Sequence, residues 1–478
     1  MDKPNILFIM SDDHAANAVS CYGSRLSKVF STPNLDRIGN EGVRLTNFFS
    51  TNAICTPARA TIMSGQYGHV NGVRTLNDKW IPENSPNLAQ LMSDSGYTTS
   101  MFGKWHLHCE PIGFDEYKYL IGDGGQGTYR DPLFSEKKDG EIVHEGYVTD
   151  IITDMSVDWL RCRDKTKPFF MMCHHKAPHD YFDYPIRHEN MFDDVEIPMP
   201  DSLFEDKSHR CEGSRDFGSS VTPRSKIRSL YEDFCKDDYV TGKLEISENA
   251  TFEEKGIAAY QKYLKDYLRT VAGIDDSVGV LLSELERQGI LDDTLVIYTS
   301  DQGMFLGEHD YQDKRWSYEE SLRAPFLVRY PRAIKGGSVS NQLMANIDIA
   351  PTILDFAGIS FPSEMQGISL KDLIFGEPDS RERDAIYFRY WMHLANGHRN
   401  PAHYGIRTEK YKLIYYYGLP LDAAGAVQEE TPTGWELYDI ERDPFELCNL
   451  YEADGYTDII SNLKHSLFRA KEEYKDTT

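Results

Sequence analysis

The chain has 478 residues, 40% of them hydrophobic, and a formal net charge of −25. Its length suits one large and one smaller domain, and no apolar run reaches the length of a membrane span. The acidic balance excludes nucleic acid as the main partner, because phosphate binding requires a basic surface. The eight cysteines show no CxxC or zinc-ligand spacing, so the sequence does not indicate a zinc site. A dense disulfide framework is not expected in a chain of this length.

Four short apolar runs are predicted to be strands, and each run ends in a polar cluster. The runs cover residues 5–10, 98–102, 168–173 and 294–299. The clusters that follow them are Ser11-Asp-Asp-His14, Gly103-Lys-Trp-His106, His174-His-Lys-Ala-Pro-His179 and Ser300-Asp-Gln-Gly303. Continuous apolar runs suit strands that are buried on both faces of a parallel sheet, where ligands bind at the carboxyl ends. We therefore expect the four clusters to meet at one edge of an α/β sheet.

The segment Cys55-Thr-Pro-Ala-Arg59 predicts the start of a helix. Pro57 suits the first helical turn and Gly65 can end the helix. Cys55 then lies at the positive end of the helix dipole, where anions bind, and Arg59 follows one turn later. From this segment alone, a buried cysteine before an ordinary helix explains the pattern equally well.

The remaining pattern predicts two domains. Alternating strands and helices indicate a large domain over residues 1–370, with a long helix over 263–288 and a polar insertion near the site over 201–253. Residues 371–478 are predicted to form a smaller α+β subdomain. Its expected elements are aromatic-rich antiparallel strands at 385–390, 411–417 and 435–438 and a helix over 458–474.

Asp12, Asp13, Asp301 and Gln302 form a candidate metal site. They supply only hard oxygen ligands, which suit Ca²⁺ or Mg²⁺ better than zinc. The alternatives are that the two neighbouring aspartates cap a helix and that residues 301–303 form a simple turn.

Together these motifs resemble the type I sulfatase family of the alkaline-phosphatase-like superfamily, and the resemblance covers most of the chain. It rests on segments 55–65, 103–106, 175–179, 300–303, 307–310 and 436–450. A finer resemblance to bacterial polysaccharide sulfatases rests on segments 71–73, 145–150, 174–179 and 403–408. The family fold is a large mixed, mostly parallel sheet sandwiched by helices, with a smaller C-terminal subdomain that has an antiparallel sheet.

The resemblance implies a set of reactive residues. Cys55 is expected to be converted by a maturation enzyme to formylglycine, whose hydrate acts as both metal ligand and nucleophile. His175 is the expected general acid, with Lys314 sharing the role, although the sequence does not decide between His175 and His179. The other implied reactive residues are Arg59, Lys104 and His106. The implied metal ligands for Ca²⁺, or for Mg²⁺, are Asp12, Asp13, Cys55, Asp301 and Gln302. The residues expected to bind substrate are His179, His309, Asp310, His393, His398, Arg399, His403 and Arg407.

The expected function is hydrolysis of a sulfate ester on a sulfated carbohydrate, of the glycosaminoglycan type or the ulvan type found in algae. The alternatives are a phosphonate or phosphate monoester hydrolase of the same superfamily, and a catalytically inactive glycan-binding homologue. The segment before the first strand, residues 1–4, contains no signal peptide. A cytoplasmic location is one expectation, and the resemblance favours a periplasmic or secreted protein whose signal peptide has been removed.

Overall fold

The computed structural model describes residues 3–376 and 383–478. Its first twelve strands are β1 (Asn5–Ser11), β2 (Val43–Leu45), β3 (Phe48–Phe49), β4 (Thr98–Gly103), β5 (Glu116–Leu120), β6 (Leu133–Glu136), β7 (Gly140–Val143), β8 (Phe169–His174), β9 (Thr294–Ser300), β10 (Phe326–Arg329), β11 (Ser338–Ser340) and β12 (Met344–Ala345). Ten of them form one sheet in the order β11-β2-β10-β9-β1-β8-β4-β5-β6-β7, and β3 pairs with β12. The five strands from β9 to β5 are all parallel, whereas β10, β6 and β7 are antiparallel to their neighbours in that sheet. The predicted mixed, mostly parallel sheet is confirmed.

The four predicted apolar runs become β1, β4, β8 and β9, which are adjacent in the sheet. The register aligns their carboxyl ends, since Ser11 pairs with Ser300 and Gly103 pairs with His174. The polar clusters that follow these strands therefore meet at one edge, as the sequence predicts.

Helices cover both faces of the large sheet. The α-helices of the described residues are α1 (Pro33–Asn40), α2 (Cys55–Ser64), α3 (Gly68–Asn71), α4 (Leu88–Asp94), α5 (Val148–Cys162), α6 (Leu230–Phe234), α7 (Phe252–Arg287), α8 (Glu319–Leu322), α9 (Ile349–Phe356), α10 (Lys371–Ile374) and α11 (Thr457–Glu473). Side chains alternate along β1: Phe8 packs in a core with α2, α4 and α9, and Ile9 packs in a second core with α1, α5 and α7. No helix within residues 3–376 or 383–478 is long and apolar enough to cross a membrane.

The helix predicted over 263–288 begins earlier, at Phe252. A capping box between Thr251 and Glu254 starts it, and this signal spans the end of the polar segment predicted as the insertion over 201–253. The remainder of that segment contains short 3₁₀ turns and the single α-helix α6.

A second, antiparallel sheet lies in the C-terminal part of the chain. Its strands are β13 (Ala385–Tyr390), β14 (His403–Thr408), β15 (Tyr411–Tyr416) and β16 (Gly434–Asp439), paired in that order. Residues of α11 pack in the same core as this sheet. The predicted strands at 385, 411 and 435 are confirmed, but β14 was not predicted as a strand. The predicted subdomain, 371–478, includes residues 377–382, which lie outside the described residues, and its boundary at 370 stays a prediction.

Candidate active site

Cys55 is the first residue of α2 and is 1% exposed. The helix ends at Gly65, whose φ of 64° is a left-handed conformation that favours glycine. The thiol lies 3.3 Å from Oδ1 of Asp12 and 3.6 Å from Nε2 of Gln302. Burial raises the pKa of this thiol to about 12. The unmodified side chain is therefore neutral near pH 7 and a weak nucleophile.

Three carboxylates and one amide form an acidic cluster beside Cys55, made of Asp12, Asp13, Asp301 and Gln302. One oxygen from each of the three aspartates lies within 4.8 Å of the others, and all three residues are completely buried. Gln302 donates from Nε2 to Asp13 at 2.6 Å, while its buried Oε1 has no hydrogen-bond partner among the described residues. Burial raises the pKa of Asp13 to about 7, against the opposing charge of Lys314. The cluster fits Ca²⁺ or Mg²⁺, because it offers only oxygen ligands and leaves one amide oxygen unsatisfied.

Three basic side chains surround the acidic cluster, and none is more than 2% exposed. Each contacts a different carboxylate: Arg59 with Asp301 at 3.0 Å, Lys104 with Asp12, and Lys314 with Asp13 at 2.5 Å. Nη2 of Arg59 is buried without a hydrogen-bond partner among the described residues. These charges are shielded from water, so they interact strongly with any oxyanion that binds between them.

His179, rather than His175, is the histidine that reaches the acidic cluster. Its Nε2 lies 3.7 Å from Oδ2 of Asp13, and its Nδ1 lies 2.7 Å from Oδ1 of Asp180. The ring of His175 points elsewhere, with Nε2 3.1 Å from Oγ of Ser277 in α7. The structure thus places the expected general acid outside the cluster, because the chain turns after β8 and directs the two rings differently.

His106 lies two residues after Lys104, and its Nδ1 is buried without a hydrogen-bond partner among the described residues. Burial, together with the charges of Lys104 and Arg59, holds the pKa of His106 well below its usual range. Gly125 lies against this ring, and a Cβ there would come within 3.1 Å of its Cδ2. Glycine at this position therefore allows the loop to pack closely on His106.

The structure brings two of the eight residues expected to bind substrate to the site. These are His179 and His398. Nδ1 of His398 lies 3.3 Å from Oδ2 of Asp313, the residue next to Lys314. The other six are bonded elsewhere within the fold: His309 to Glu205 at 2.8 Å, Asp310 to Thr222 at 2.7 Å, His393 to the Glu429 carbonyl at 2.8 Å, Arg399 to Glu429 at 2.8 Å, His403 to the Pro401 carbonyl at 2.8 Å, and Arg407 to Glu319 at 3.2 Å. These contacts tie the six side chains to other parts of the fold, and their expected role in sugar binding stays a prediction.

Sequence reasoning missed four further residues at the site. Their contacts are Gln126 to Lys104, Asp180 to His179 at 2.7 Å, Asp313 to Lys314 at 3.2 Å, and Arg228 to Asp180 at 3.2 Å. Asp180 and Asp313 adjoin predicted residues in the chain, and this adjacency is a usable signal. Arg228 offers no such signal, because it lies in a segment without hydrophobic periodicity.

This edge of the sheet has the chemistry needed to bind and cleave the ester of an oxyanion. A tetrahedral oxyanion bound between the three basic side chains would face position 55, with His179 beside it as a proton donor or acceptor. A mixed sheet covered by helices on both faces, with such a site at its carboxyl edge, defines a hydrolase of the alkaline-phosphatase-like class.

Within that class the chain belongs to the sulfatase family, and it is a sulfuric ester hydrolase. Residues 4–359 match the family described as Sulfatase. Residues 307–473 match the family described as N-sulphoglucosamine sulphohydrolase, C-terminal. The family resemblance found in the sequence motifs is confirmed.

Individual relatives show the same similarity over nearly the whole chain. The chain is 40% identical to an N-acetylglucosamine-6-O-sulfatase of Bacteroides thetaiotaomicron, over 99% of the chain and 87% of that protein. It is 26% identical to an ulvan-active sulfatase of Formosa agariphila, over 86% of the chain and 72% of that protein. A protein solved in complex with its substrate D-glucosamine-2-N,6-O-disulfate has a TM-score of 0.88 and 37% identity, covering 100% of this chain and 99% of that chain.

Proposed function

We propose that the chain removes the 6-O-sulfate from an N-acetylglucosamine or glucosamine unit of a sulfated oligosaccharide. The observation that carries the proposal is the 40% identity, over 99% of the chain, to a 6-O-sulfatase for this sugar. The similar structure with a 6-O-sulfated glucosamine as substrate supports the same sugar. Identity to the ulvan-active enzyme is only 26%, so a substrate of the glycosaminoglycan type is favoured.

Position 55 is the proposed nucleophile, after a maturation enzyme has converted Cys55 to formylglycine. The neutral, buried thiol supports this, because it is a weak nucleophile without modification. The aldehyde hydrate supplies one hydroxyl to attack sulfur and a second whose deprotonation expels sulfate. Asp12, Asp13, Asp301 and Gln302 are the proposed ligands of Ca²⁺, with Mg²⁺ as the alternative, and such an ion supplies Lewis-acid activation when bound.

Arg59, Lys104 and Lys314 are proposed to neutralise the oxygens of the sulfuryl group. An ammonium group has three donors, and Lys314 directs its donors to Asp13 and Asp313. A donor therefore remains for a bound oxyanion. Because the pocket excludes water, these contacts stabilise charge in the transition state more strongly than exposed contacts do.

His179 is the proposed general acid for departure of the sugar oxygen. Its Nδ1 is held by Asp180, which leaves Nε2 directed toward the acidic cluster. A sugar alkoxide is a poor leaving group, and a general acid contributes about 10²–10⁴-fold to such a step. His106, whose Nδ1 is unpartnered among the described residues, is the proposed base for the second hydroxyl of the hydrate.

The proposed substrate is a short or terminal oligosaccharide rather than the interior of a long polymer. A net charge of −25 repels a polyanion beyond the rim of the basic pocket. Sulfated polysaccharides are extracellular, so a periplasmic or secreted location is proposed, and a cytoplasmic location requires import of the oligosaccharide.

Released sulfate from N-acetylglucosamine-6-sulfate tests the proposal. The matched substrates are N-acetylglucosamine-3-sulfate, which moves the ester, and N-acetylgalactosamine-6-sulfate, which inverts one hydroxyl. The protein is produced with and without a formylglycine-generating enzyme, and mass spectrometry of the peptide containing Cys55 reports the conversion. Turnover of the glucosamine 6-sulfate by the converted protein alone supports the proposal. Equal rates on all three sugars, or full turnover by the thiol form, would overturn it.

A further inference from the structure

The guanidinium of Arg228 joins three separate parts of the chain. Its Nη2 lies 3.2 Å from Oδ2 of Asp180, in the loop after β8. Its Nη1 lies 2.7 Å from Nε2 of His398, in the C-terminal part of the chain, and its Nε lies 3.7 Å from Oδ2 of Asp233, in α6. Every nitrogen of this guanidinium thus faces a protein partner. Arg228 is therefore placed to link side chains rather than to bind an incoming anion.

Asp180 is shared between Arg228 and His179. One carboxylate oxygen accepts from Arg228, and the other lies 2.7 Å from Nδ1 of His179. The backbone carbonyl of Asp180 lies 2.8 Å from the same ring nitrogen. Two acceptors on Nδ1 hold one proton there, fix the plane of the imidazole, and direct Nε2 toward the acidic cluster. Nε2 therefore acts as an acid in the doubly protonated ring, which gives its second proton to the leaving oxygen and returns to the neutral form.

We propose that Asp180 and Arg228 are positioning residues for His179, so that the insertion over residues 201–253 completes the active site. This inference rests on the proposed role of His179 as general acid. Asp180 orients the ring, and Arg228 holds Asp180 through bonds that also reach α6 and His398. Proton transfer requires Nε2 to lie within hydrogen-bond reach of the leaving oxygen, so a small rotation of the ring slows that step.

A positioning role and a merely structural role predict different kinetics. If Arg228 only stabilises the fold, its loss affects every sulfate ester to the same extent. If Arg228 positions the acid, the loss of activity caused by its removal grows with the basicity of the leaving group, because only a basic leaving group needs a proton from His179.

The test uses the converted, full-length protein with two aryl sulfates, 4-nitrophenyl sulfate and phenyl sulfate, whose phenolate is the more basic. Arg228→Gln and Asp180→Asn are expected to lower kcat for phenyl sulfate about tenfold and to leave 4-nitrophenyl sulfate nearly unchanged. Arg228→Lys should retain part of the activity, since it keeps the charge but loses the forked geometry. Lys226→Gln is the matched control, because Lys226 is exposed and lies in the same segment.

A double-variant cycle supplies the decisive measurement. In the His179→Ala background, Arg228→Gln should cause no further loss on phenyl sulfate, because its effect passes through the missing ring. Additive losses in the double variant, or equal losses on the two aryl sulfates, would overturn the inference. Urea midpoints check folding, and Arg228→Lys replaces Arg228→Gln if the latter does not fold.

Aryl sulfates keep this test separate from the proposed sugar specificity. A wild-type protein that hydrolyses aryl sulfates but releases no sulfate from N-acetylglucosamine-6-sulfate refutes the proposed function. The cycle on Arg228 and His179 still gives its own answer in that case.

Discussion

Replacing His179 and His175 separately by alanine should affect different properties of the protein. His179 faces the acidic cluster at 3.7 Å from Asp13, so its loss should slow departure of a basic leaving group. His175 is completely buried and bonded to Ser277 in α7. Its loss should therefore lower the stability of the fold while the chemistry continues.

The expected sizes follow from these positions. Loss of a general acid slows the step about 10²–10⁴-fold, which corresponds to about 3–5 kcal/mol in the activation free energy. His175→Ala removes a buried hydrogen bond and leaves Ser277 with Thr153 as its remaining side-chain partner. Because Ser277 keeps that partner, the expected cost is the loss of one hydrogen bond, about 0.5–1.5 kcal/mol of unfolding free energy.

The assay compares kcat/KM for N-acetylglucosamine-6-sulfate and for 4-nitrophenyl sulfate, together with urea midpoints of each variant. His179→Ala should lose activity on the sugar sulfate and keep most of it on the aryl sulfate, with an unchanged midpoint. His175→Ala should keep kcat and shift the midpoint to lower urea. If His175→Ala shows the selective loss on the sugar sulfate and His179→Ala does not, the assignment drawn from the ring positions is refuted.

Three further predictions concern the nucleophile, the metal and acid stability. Cys55→Ala and Cys55→Ser should both abolish sulfate release without unfolding the chain, because either side chain fits the buried site. Circular dichroism measures the folding of each variant, and a turnover assay measures sulfate release. Repeated turnover by Cys55→Ser would contradict the hydrate mechanism. Ca²⁺ at a hundred times its Kd should stabilise the apo protein by about 2.7 kcal/mol, and Gln302→Leu should reduce this gain in thermal unfolding; equal gains in both proteins would remove Gln302 from the ligand set. Burial opposes ionisation of Glu205, but the hydrogen bond to His309 lowers its pKa from 4.5 to about 2. The ionised carboxylate therefore stabilises the fold above pH 4.5. About 3 kcal/mol of unfolding free energy is lost as the pH falls toward about 2. Urea unfolding at about pH 5 and about pH 3 should therefore show a flatter decline for Glu205→Gln, and an identical decline would contradict this role.

The sequence predicts the part of the site that is fixed by strand ends. Apolar runs identify the central strands, and the parallel arrangement then brings the acidic cluster and Lys104 together without further information. Cys55 begins α2 instead of following one of these strands, so its place at the site came from the family resemblance. Side-chain direction after β8 is not predictable in this way, because a turn decides which of His175 and His179 faces the cluster. β14 was not predicted because its sequence, His403-Tyr-Gly-Ile-Arg-Thr408, mixes polar and apolar residues. Its extended conformation is held by antiparallel pairing with β13 and β15.

The insertion over residues 201–253 shows a second limit of prediction from sequence. The start of α7 depends on a short capping signal at the end of a polar segment, and Arg228 acquires its neighbours only when that segment packs against the loop after β8 and against His398. Such contacts join residues far apart in the chain and leave no periodic pattern. The groups that assist a reactive side chain are therefore harder to read from sequence than the reactive side chain itself.

The position of β1 in the middle of the sheet has a consequence for how the chain is made. β1 precedes the other strands of the sheet along the chain, yet its two neighbours are β8 at residues 169–174 and β9 at residues 294–300. At 5–20 residues per second, about 15–60 s of synthesis separate β1 from its second partner. Throughout that interval an apolar strand has an open edge, which favours pairing with other nascent chains. We expect yield to depend on chaperones that shield nascent apolar segments, and fragments that stop before Ser300 should aggregate rather than fold.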